Sequence, residues 1–367
     1  MAVISFARGI PAPELLPVAE LADCARAALE RDGQAILNYG PTGGYPPLRE
    51  WIAELHGVEP GRVIVTNGSL EGLNLVFGHF AQRGRILVEA PTYDRPVRVA
   101  GRLGAELRAV PQDADGLDVD ALEQELRRDG TPAFLYVLPT YQNPSGRTLP
   151  LERRRRLVEL AREHELTILE DDPYGQVRFD GEELPTLFEL DPERVLRSSS
   201  FSKIVSPGLR VGFFVLPPEI AKAIEAVATD FWLTPSLLSE ATVHEFLRRG
   251  RLEPNLEVVC GALRERRDAM LGALDQSLEG TGATWSRPEG GYFLWLDLPG
   301  GADAGELLPR AEAAGVTFVK GTDFFVPGSG GGRSALRLAY SFVSVDEIRD
   351  GIARLAALVP ALTPASV

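Results

Sequence analysis

The stretch Leu166-Thr-Ile-Leu-Glu170-Asp-Asp-Pro-Tyr174 places an apolar, β-rich run directly before a cluster of acidic and aromatic residues. Short runs of the same kind recur along the chain and alternate with amphipathic stretches such as Leu151 to His164. This alternation predicts an α/β domain in which helices cover a mostly parallel sheet. The other predicted strands are Val63 to Thr66, Arg85 to Glu89, Phe134 to Leu138, Val195 to Arg197 and Val211 to Val215.

The pattern changes after about Pro235, where a long helical region from Leu238 to Leu278 begins. A predicted strand from Tyr292 to Leu296, a glycine-rich loop at 328–332 and a final strand from Leu336 to Tyr340 follow. Because a chain of 367 residues exceeds what one hydrophobic core usually supports, we expect two domains. The predicted large domain spans 31–245, and a smaller α+β domain combines 1–30 with 246–367.

The composition limits the kinds of partner. The net charge of -14 opposes nucleic-acid binding, and the basic run Arg153 to Arg156 is interpreted as the solvated face of a helix. We expect no membrane partner, because the chain shows neither a secretory signal nor a long apolar run. Cys24 and Cys260 can form no disulfide framework and match no short metal-ligand spacing, so a cytoplasmic location without a metal site is expected.

A lysine follows the predicted strand at Val195 to Arg197, in the motif Ser200-Phe-Ser-Lys203, and Pro207-Gly-Leu-Arg210-Val-Gly212 comes next. A lysine alone indicates little, because most lysines are solvated surface residues. Here the two serines, Ser200 and Ser202, and the arginine offer donors that suit a phosphate. A lysine beside a phosphate site is typical of Schiff-base chemistry, so Lys203 is the candidate catalytic residue.

Three more motifs follow predicted strands, at the strand ends where open α/β sheets bind ligands. Asp171 or Asp172 offers a carboxylate for a protonated pyridine nitrogen, with helix N-capping as an equally good alternative. The segment Asn143-Pro-Ser-Gly146 is by itself a common turn. The segment Gly68-Ser-Leu70 starts a predicted helix, whose backbone N–H groups suit a phosphate.

The order of these motifs resembles that of the fold-type I pyridoxal-phosphate (PLP) enzymes, and in particular the class I/II aminotransferases of the α-aminoadipate and kynurenine group. The resemblance covers essentially the whole chain. It implies an α/β large domain with a mostly parallel seven-stranded sheet flanked by helices, and a smaller α+β domain. Other matching motifs are Gly9-Ile-Pro-Ala-Pro13, Asn38-Tyr39-Gly40, Gly44 to Arg49, Pro91-Thr-Tyr93, Pro288-Glu-Gly-Gly-Tyr292 and Leu336-Arg-Leu338.

The resemblance also implies a role for each site residue. Lys203 corresponds to the Schiff-base lysine that shuttles a proton, and Asp171, three residues before Tyr174, corresponds to the partner of the pyridinium nitrogen. The substrate carboxylate is assigned to Arg337 with Asn143 and Gly9. The cofactor positions are Tyr174 and Asn143 at the phenolic oxygen, Tyr93 stacked on the ring, Ser69, Leu70, Ser200, Ser202 and Arg210 at the phosphate, and Tyr39 reaching a neighbouring subunit's phosphate, which implies a homodimer.

The implied activity is a ping-pong transamination from an L-amino acid to a 2-oxo acid, with 2-oxoglutarate as the acceptor by family analogy. PLP-dependent decarboxylation, elimination or oxidation stays an alternative, because these reactions share the cofactor residues. A regulator derived from the same fold is not expected, since no DNA-binding module precedes residue 1 and the charge is acidic.

The sequence leaves the amino donor open. Arg8 and Arg95 are candidates for binding a distal substrate carboxylate, with interlobe salt bridges as an equal alternative. Relatives commonly carry two glutamines where this chain has Leu70-Glu71, so fewer side-chain donors are expected near the phosphate.

Overall fold

A computed structural model describes residues 3–359. Its strands are β1 (Ile4–Ser5), β2 (Val63–Thr66), β3 (Ile86–Ala90), β4 (Leu107–Asp113), β5 (Gly116–Leu117), β6 (Phe134–Val137), β7 (Ile168–Asp171), β8 (Val195–Ser200), β9 (Gly212–Val215), β10 (Thr284–Trp285), β11 (Phe293–Asp297), β12 (Val316–Thr317), β13 (Val319–Lys320) and β14 (Ala335–Ala339).

The α-helices lie between and after these strands. They are α1 (Val18–Ile36), α2 (Pro46–His56), α3 (Ser69–Phe80), α4 (Asp94–Arg102), α5 (Val119–Asp129), α6 (Leu151–Glu163), α7 (Leu187–Leu190), α8 (Pro218–Trp232), α9 (Leu237–Arg248), α10 (Leu252–Leu278), α11 (Ala304–Ala313) and α12 (Val345–Ala356). None of the helices within residues 3–359 is long and apolar enough to cross a membrane.

The large sheet has the strand order β2-β9-β8-β7-β6-β3-β4-β5. Neighbouring strands from β8 through β7, β6 and β3 to β4 are parallel, whereas β9 is antiparallel to both of its neighbours. The predicted mostly parallel α/β sheet is therefore confirmed. Seven strands form its body, and the two-residue β5 adds a short hairpin at one edge.

The central strands are buried on both faces because helices cover the sheet from both sides. In β3, Ile86 and Val88 belong to one hydrophobic cluster, while Leu87 between them belongs to the cluster on the other face. This arrangement explains why the sequence shows continuous apolar runs there and not an alternating pattern. The runs predicted six of the seven main strands, and β8 extends beyond the predicted end at Arg197 to Ser200.

Sequence reasoning missed β4, at Leu107–Asp113. Most of its side chains are exposed or half-buried, and it contains Pro111 near its end. A polar strand with an internal proline carries a weak hydrophobic signal. Such a strand is tolerated near the edge of a sheet, and only the short β5 lies beyond β4. Strand pairing with β3 supplies the stability that the local sequence does not.

The predicted helical region from Leu238 to Leu278 is two helices, α9 and α10, which are separated at Gly250 with its positive φ of 63°. The C-terminal part then forms a four-stranded sheet of order β10-β11-β14-β13. The N-terminal β1 pairs in parallel with β12, so the first residues join the C-terminal part.

The predicted domain boundaries lie inside helices. The boundary at 30/31 is within α1, close to Asp32, where the backbone leaves helical geometry, and the boundary at 245/246 is within α9. These two helices pack against each other. The division into 31–245 and 1–30 with 246–367 therefore stays a prediction.

Candidate active site

A cavity of about 410 Å³ lies where several strands of the large sheet end. Tyr93 follows β3, Asn143 follows β6, Asp171 ends β7 and Lys203 follows β8, so chain segments far apart in sequence meet at one edge. This is the edge at which open α/β sheets bind ligands. Of the predicted site residues, the lining includes Gly9, Ser69, Leu70, Tyr93, Arg95, Asn143, Asp171, Tyr174, Ser200, Ser202, Lys203, Arg210 and Arg337.

Lys203 is half-buried at the centre of this lining, and its Nζ donates a hydrogen bond to the carbonyl oxygen of Gly9 at 3.0 Å. The same Nζ lies 5.3 Å from the ring centre of Tyr292, whose hydroxyl donates to the Lys203 carbonyl at 3.0 Å. Burial lowers the pKa of the Lys203 ammonium to about 8, and the nearby positive charges of Arg337 and Arg210 act in the same direction. The amine is therefore available as a nucleophile or base at mildly alkaline pH.

Asp171 is buried at the end of β7, and both of its carboxylate oxygens accept hydrogen bonds. The hydroxyl of Ser198 donates to Oδ1 at 2.9 Å, and that of Tyr136 donates to Oδ2 at 2.7 Å. Burial raises the pKa of Asp171 to about 6, whereas the two donors act to lower it. A positive charge placed next to this carboxylate would be strongly favoured, because the aspartate has no basic side chain bonded to it among residues 3–359.

Asp172 serves a different purpose from its neighbour. Its Oδ2 accepts from Arg197 Nη2 at 2.9 Å, and its Oδ1 accepts from the backbone N–H of Gly175 at 2.8 Å. No helix begins at this acidic pair, because the next helix after β7 starts at Leu187, so the helix N-capping alternative is wrong and Asp172 instead stabilises a turn. Asp171 makes no such turn and faces the cavity.

A second part of the cavity forms a cup with backbone donors. Ser69 is the first residue of α3, and no side chain caps this helix, so N–H groups of its first turn are free to bind an anion. A Cβ on Gly68, which has a φ of 87°, would lie only 2.0 Å from Arg210 Nη2. A Cβ on Gly212 would lie 2.3 Å from the Ser69 nitrogen. Both glycines thus permit the close approach that builds the cup.

Polar side chains complete the cup on its other side. The hydroxyl of Ser200 donates to that of Ser202 at 2.8 Å. Arg210 adopts a positive φ of 54°, and its guanidinium donates to the carbonyl oxygens of Pro207 and Asn67, each at 3.3 Å. Backbone donors, hydroxyls and a fixed guanidinium are the groups that bind a phosphate ester.

Arg337 is buried, with 8 % of its surface exposed. Its Nη1 donates to Asn143 Oδ1 and its Nη2 to the carbonyl oxygen of Ala7, both at 2.9 Å, while its Nε has no partner among residues 3–359. The guanidinium also lies 4.2 Å from the ring centre of Phe293. Burial lowers the pKa of Arg337 to about 10. A buried cation with free donors is a site for a carboxylate.

Asn143 has its orientation set by Arg337. A guanidinium can only donate, so the Asn143 Oδ1 faces it and the Nδ2 is left to donate elsewhere. Tyr93 and Tyr174 line the same cavity, and burial raises the pKa of Tyr93 to about 12 and that of Tyr174 well above its ordinary value. Both tyrosines therefore stay protonated and can act as hydrogen-bond donors.

Two predicted site residues lie outside the cavity lining. Arg8 is exposed, its guanidinium lies 5.0 Å from the ring centre of Phe342, and it has no salt-bridge partner among residues 3–359. Tyr39 is 78 % exposed on the surface. Arg95 does line the cavity, and its nearest acidic neighbour is Asp94 at 3.7 Å. Glu71, at the changed Leu70-Glu71 position, accepts from the backbone N–H of Asn67 at 3.1 Å.

Sequence reasoning missed the residues that hold Asp171. Ser198 lies directly opposite Asp171 in the β7–β8 register, and Tyr136 projects from β6 on the other side. Only the strand register brings them to the carboxylate, and no local motif contains all three.

Gly9 has a steric reason to be glycine, because a Cβ there would lie 2.4 Å from the ring of Phe293.

Comparisons with known proteins show the family of the chain. The family model for aminotransferases of class I and II matches residues 6–355. A 2-aminoadipate transaminase of Thermus thermophilus is 41% identical over 96% of this chain and 89% of its own length. An aromatic-amino-acid aminotransferase of Thermococcus litoralis is 36% identical over 96% of this chain and 87% of its own.

A solved α-aminoadipate aminotransferase of Thermus thermophilus, complexed with N-(5'-phosphopyridoxyl)-L-leucine, superposes with a TM-score of 0.91 at 40% identity, covering 98% of this chain and 92% of that one. These relatives are named for amino-group transfer, so the alternatives of decarboxylation, elimination and oxidation are not favoured. The resemblance noted in the sequence is confirmed: the chain belongs to the class I and II aminotransferases, enzymes that transfer amino groups with pyridoxal 5'-phosphate.

Proposed function

We propose that this aminotransferase binds PLP covalently through Lys203 and transfers the amino group of an L-amino acid to 2-oxoglutarate by ping-pong kinetics. The observation that carries the proposal is one cavity that contains a half-buried amine, a buried carboxylate and a buried guanidinium with free donors, on Lys203, Asp171 and Arg337. PLP, when bound, supplies an electron sink for the electron pair left on the substrate Cα.

Each part of the cavity is assigned to one part of the cofactor. The cup around Ser69, Leu70 and Gly68, closed by Ser200, Ser202 and Arg210, takes the phosphate. Asp171 would hold the ring nitrogen, whose positive charge would lower the cost of keeping the buried carboxylate ionised. Tyr93 would stack on the ring, and Tyr174 with the Nδ2 of Asn143 would donate to the phenolic oxygen.

Lys203 also handles the proton. As a free amine it would take the proton from the substrate Cα and return a proton later in the same half-reaction. The lowered pKa of about 8 suits this task, because an ordinary lysine with a pKa near 10.5 is almost fully protonated at neutral pH. Arg337 fixes the α-carboxylate through its unused donors, and Asn143 steadies the guanidinium.

The substrate range is proposed from one basic residue. Of the four basic side chains that line the cavity, Lys203, Arg210 and Arg337 are assigned to the cofactor and the α-carboxylate, which leaves Arg95. Half of the Arg95 side chain is exposed, and it makes only a long contact with Asp94. We infer that Arg95 binds a distal carboxylate, so that 2-aminoadipate and 2-oxoglutarate are substrates, and that aromatic donors bind by turning it outward.

We also propose that the active unit is a homodimer. The chain exposes an apolar group at Leu37, Tyr39, Phe231 and Leu233, and a hydrogen bond of 2.8 Å from Thr42 Oγ1 to the Leu233 carbonyl joins its two segments. Exposed apolar clusters of this kind usually mark a protein interface. Tyr39 is assigned to the phosphate of the partner's cofactor.

The location and the domain division remain proposals. Cys24 and Cys260 are both free thiols, which suits a reducing cytoplasm. The division into a large domain of 31–245 and a small domain of 1–30 with 246–367 is supported by the pairing of β1 with β12, which ties the N-terminal residues to the C-terminal part.

The decisive experiment identifies the lysine that carries the cofactor. Borohydride reduces the carbon–nitrogen double bond between PLP and a lysine, and peptide mass spectrometry then locates the label. The chain has three lysines, Lys203, Lys222 and Lys320, so the last two are internal controls. We expect the label on Lys203, and the Lys203→Ala variant to lose both the label and turnover, while Lys222→Ala, on the exposed face of α8, keeps both.

The reaction class is tested with the same holoenzyme. It is mixed with single L-amino acids without an acceptor, and its absorbance is followed until the cofactor is aminated. Addition of 2-oxoglutarate should then restore the starting spectrum and yield glutamate. Label on another lysine, or release of carbon dioxide or peroxide in place of a stable aminated cofactor, contradicts the proposal.

A further inference from the structure

A buried acidic residue, Glu89, links two sides of the active site. We propose that Glu89 is a positioning residue that holds the segments carrying Tyr93 and Asn143 in fixed relation through one buried hydrogen-bond network. The inference rests on the proposed roles of those two residues in binding the cofactor and the substrate. Glu89 does not line the cavity itself.

Glu89 is placed to act on both neighbouring strands. It is the fourth residue of β3, which lies between β4 and β6 in the sheet, and 2 % of its surface is exposed. The backbone pairing of β3 with β6 is recorded up to Val88, opposite Tyr136. From that point the Glu89 side chain connects the strands at the edge where the cavity lies.

The two carboxylate oxygens of Glu89 accept hydrogen bonds from opposite sides. Oε1 accepts from Gln112 Nε2, on β4, at 2.9 Å. Oε2 accepts from the backbone N–H of Leu138, directly after β6, at 2.9 Å, and from Gln142 Nε2 at 3.3 Å. One carboxylate therefore ties the ends of three adjacent strands together.

The network continues to the residues that contact the cofactor position. Gln142 Nε2 also donates to the carbonyl oxygen of Pro91 at 2.8 Å, and Gln112 Nε2 donates to the same oxygen at 3.2 Å. Pro91 lies two residues before Tyr93, and Gln142 lies directly before Asn143. Gln142 also braces its own loop, because its Oε1 accepts from the backbone N–H of Ser145 at 2.8 Å.

Three N–H groups point at the two oxygens of Glu89, and this arrangement favours the ionised carboxylate. A carbonyl oxygen can only accept, so both glutamines must turn their nitrogen toward Pro91 and Glu89, and Glu89 must then accept on both oxygens. A glutamine at this position would set an amide nitrogen against N–H donors on one side. Burial raises the pKa of Glu89 to about 8, and the N–H donors of Leu138, Gln142 and Gln112 act to lower this pKa and so favour the ionised form. Displacement of the Gln142 loop would move Asn143 and, with it, the Arg337 guanidinium.

The test compares Glu89→Gln with the wild-type holoenzyme. We expect the KM for the amino donor to rise about tenfold, equal to about 1.4 kcal/mol, because the carboxylate clamp is loosened. We also expect the visible circular dichroism of the bound cofactor to change, because Tyr93 and Asn143 both set its orientation. Glu106→Gln, a substitution of an exposed acid just before β4, is the matched control and should change neither.

Gln112→Met removes the hydrogen bonds from β4 to Glu89 and Pro91 but leaves the bond from the Ser145 N–H to Gln142 intact, and it decides the question if Glu89→Gln does not fold. A raised KM with an altered dichroism band supports the inference. A KM and a band equal to those of the wild type, with only the melting temperature lowered, show that Glu89 is a structural support and overturn it. A wild-type enzyme without turnover contradicts the proposed function instead, so the two failures are distinguishable.

Discussion

Removal of the Arg337 guanidinium should abolish most substrate binding while the cofactor stays in place. Two of its five N–H donors are used by Asn143 and Ala7, and the others are available for a substrate carboxylate. A hydrogen bond to a charged group contributes about 1.5–3 kcal/mol, so a two-bond clamp contributes about 3–6 kcal/mol. We therefore expect Arg337→Met to lower kcat/KM by about 10² to 10⁴-fold.

The assay measures initial rates with the amino donor and the acceptor varied separately. Both substrates carry a carboxylate at the same position, so the KM should rise for both, whereas the absorbance of the Lys203-bound cofactor should stay unchanged. Arg337→Lys retains the positive charge but lacks the planar guanidinium, so its kcat/KM should lie between those of the wild type and Arg337→Met. Arg333→Met removes an exposed arginine just before β14 and serves as the control. A kcat/KM of Arg337→Met within about threefold of the wild type would refute the carboxylate assignment.

Three further predictions test the cup, the amine and the dimer. Gly68→Ala should weaken PLP affinity, because its Cβ would lie 2.0 Å from Arg210, whereas Gly78→Ala, within α3 and with open space around it, should bind PLP normally. Spectroscopic titration of the apoenzyme measures both affinities, and equal values contradict the proposed phosphate cup. Burial lowers the pKa of Lys203 to about 8, so in the apoenzyme the unfolded chain binds more protons between pH 8 and 10.5, and stability should rise with pH there. In urea unfolding experiments, Lys203→Met should remove this rise of stability with pH and should stabilise the apoenzyme at pH 7 by at most about 3 kcal/mol. If the variant keeps the wild-type dependence of stability on pH, the amine is not buried. The variants Tyr39→Ala and Lys203→Ala should each be impaired alone. If chains exchange when the two are mixed, about a quarter of the active sites should regain activity, because half of the dimers are hybrids and each hybrid has one intact site. No recovery of activity after exchange has been confirmed argues against a site shared between subunits.

Much of the fold could be predicted because the main strands are buried on both faces. Such strands appear as unbroken apolar runs, as in Phe134–Val137 and Ile168–Asp171. The polar β4 has no such run, and pairing with β3 decides its conformation. The break between α9 and α10 was also missed, because the helical pattern continues on both sides of Gly250 and the positive φ of that glycine interrupts it.

The candidate site was predictable to the extent that its residues lie at strand ends. Lys203, Asp171 and Asn143 each follow an apolar run, and parallel strands bring such positions to one edge. Arg8 shows the limit of this reasoning, since its proximity in sequence to Gly9 does not place its side chain in the cavity. The direction of a side chain in an irregular segment depends on the tertiary contacts, here with Phe342.

The sequence by itself determined the order of the buried apolar strands and the residue types at their ends, because hydrophobic patterns and turn motifs act over a few neighbouring residues. Only the tertiary structure decided which carboxylate faces the cavity, since Asp171 and Asp172 differ through contacts with Ser198 and Arg197 on the adjacent strand. The tertiary structure also decided that the Arg210 guanidinium lies so close to Gly68 that no side chain fits there. Such contacts depend on strand register and chain crossing, which no local spacing encodes.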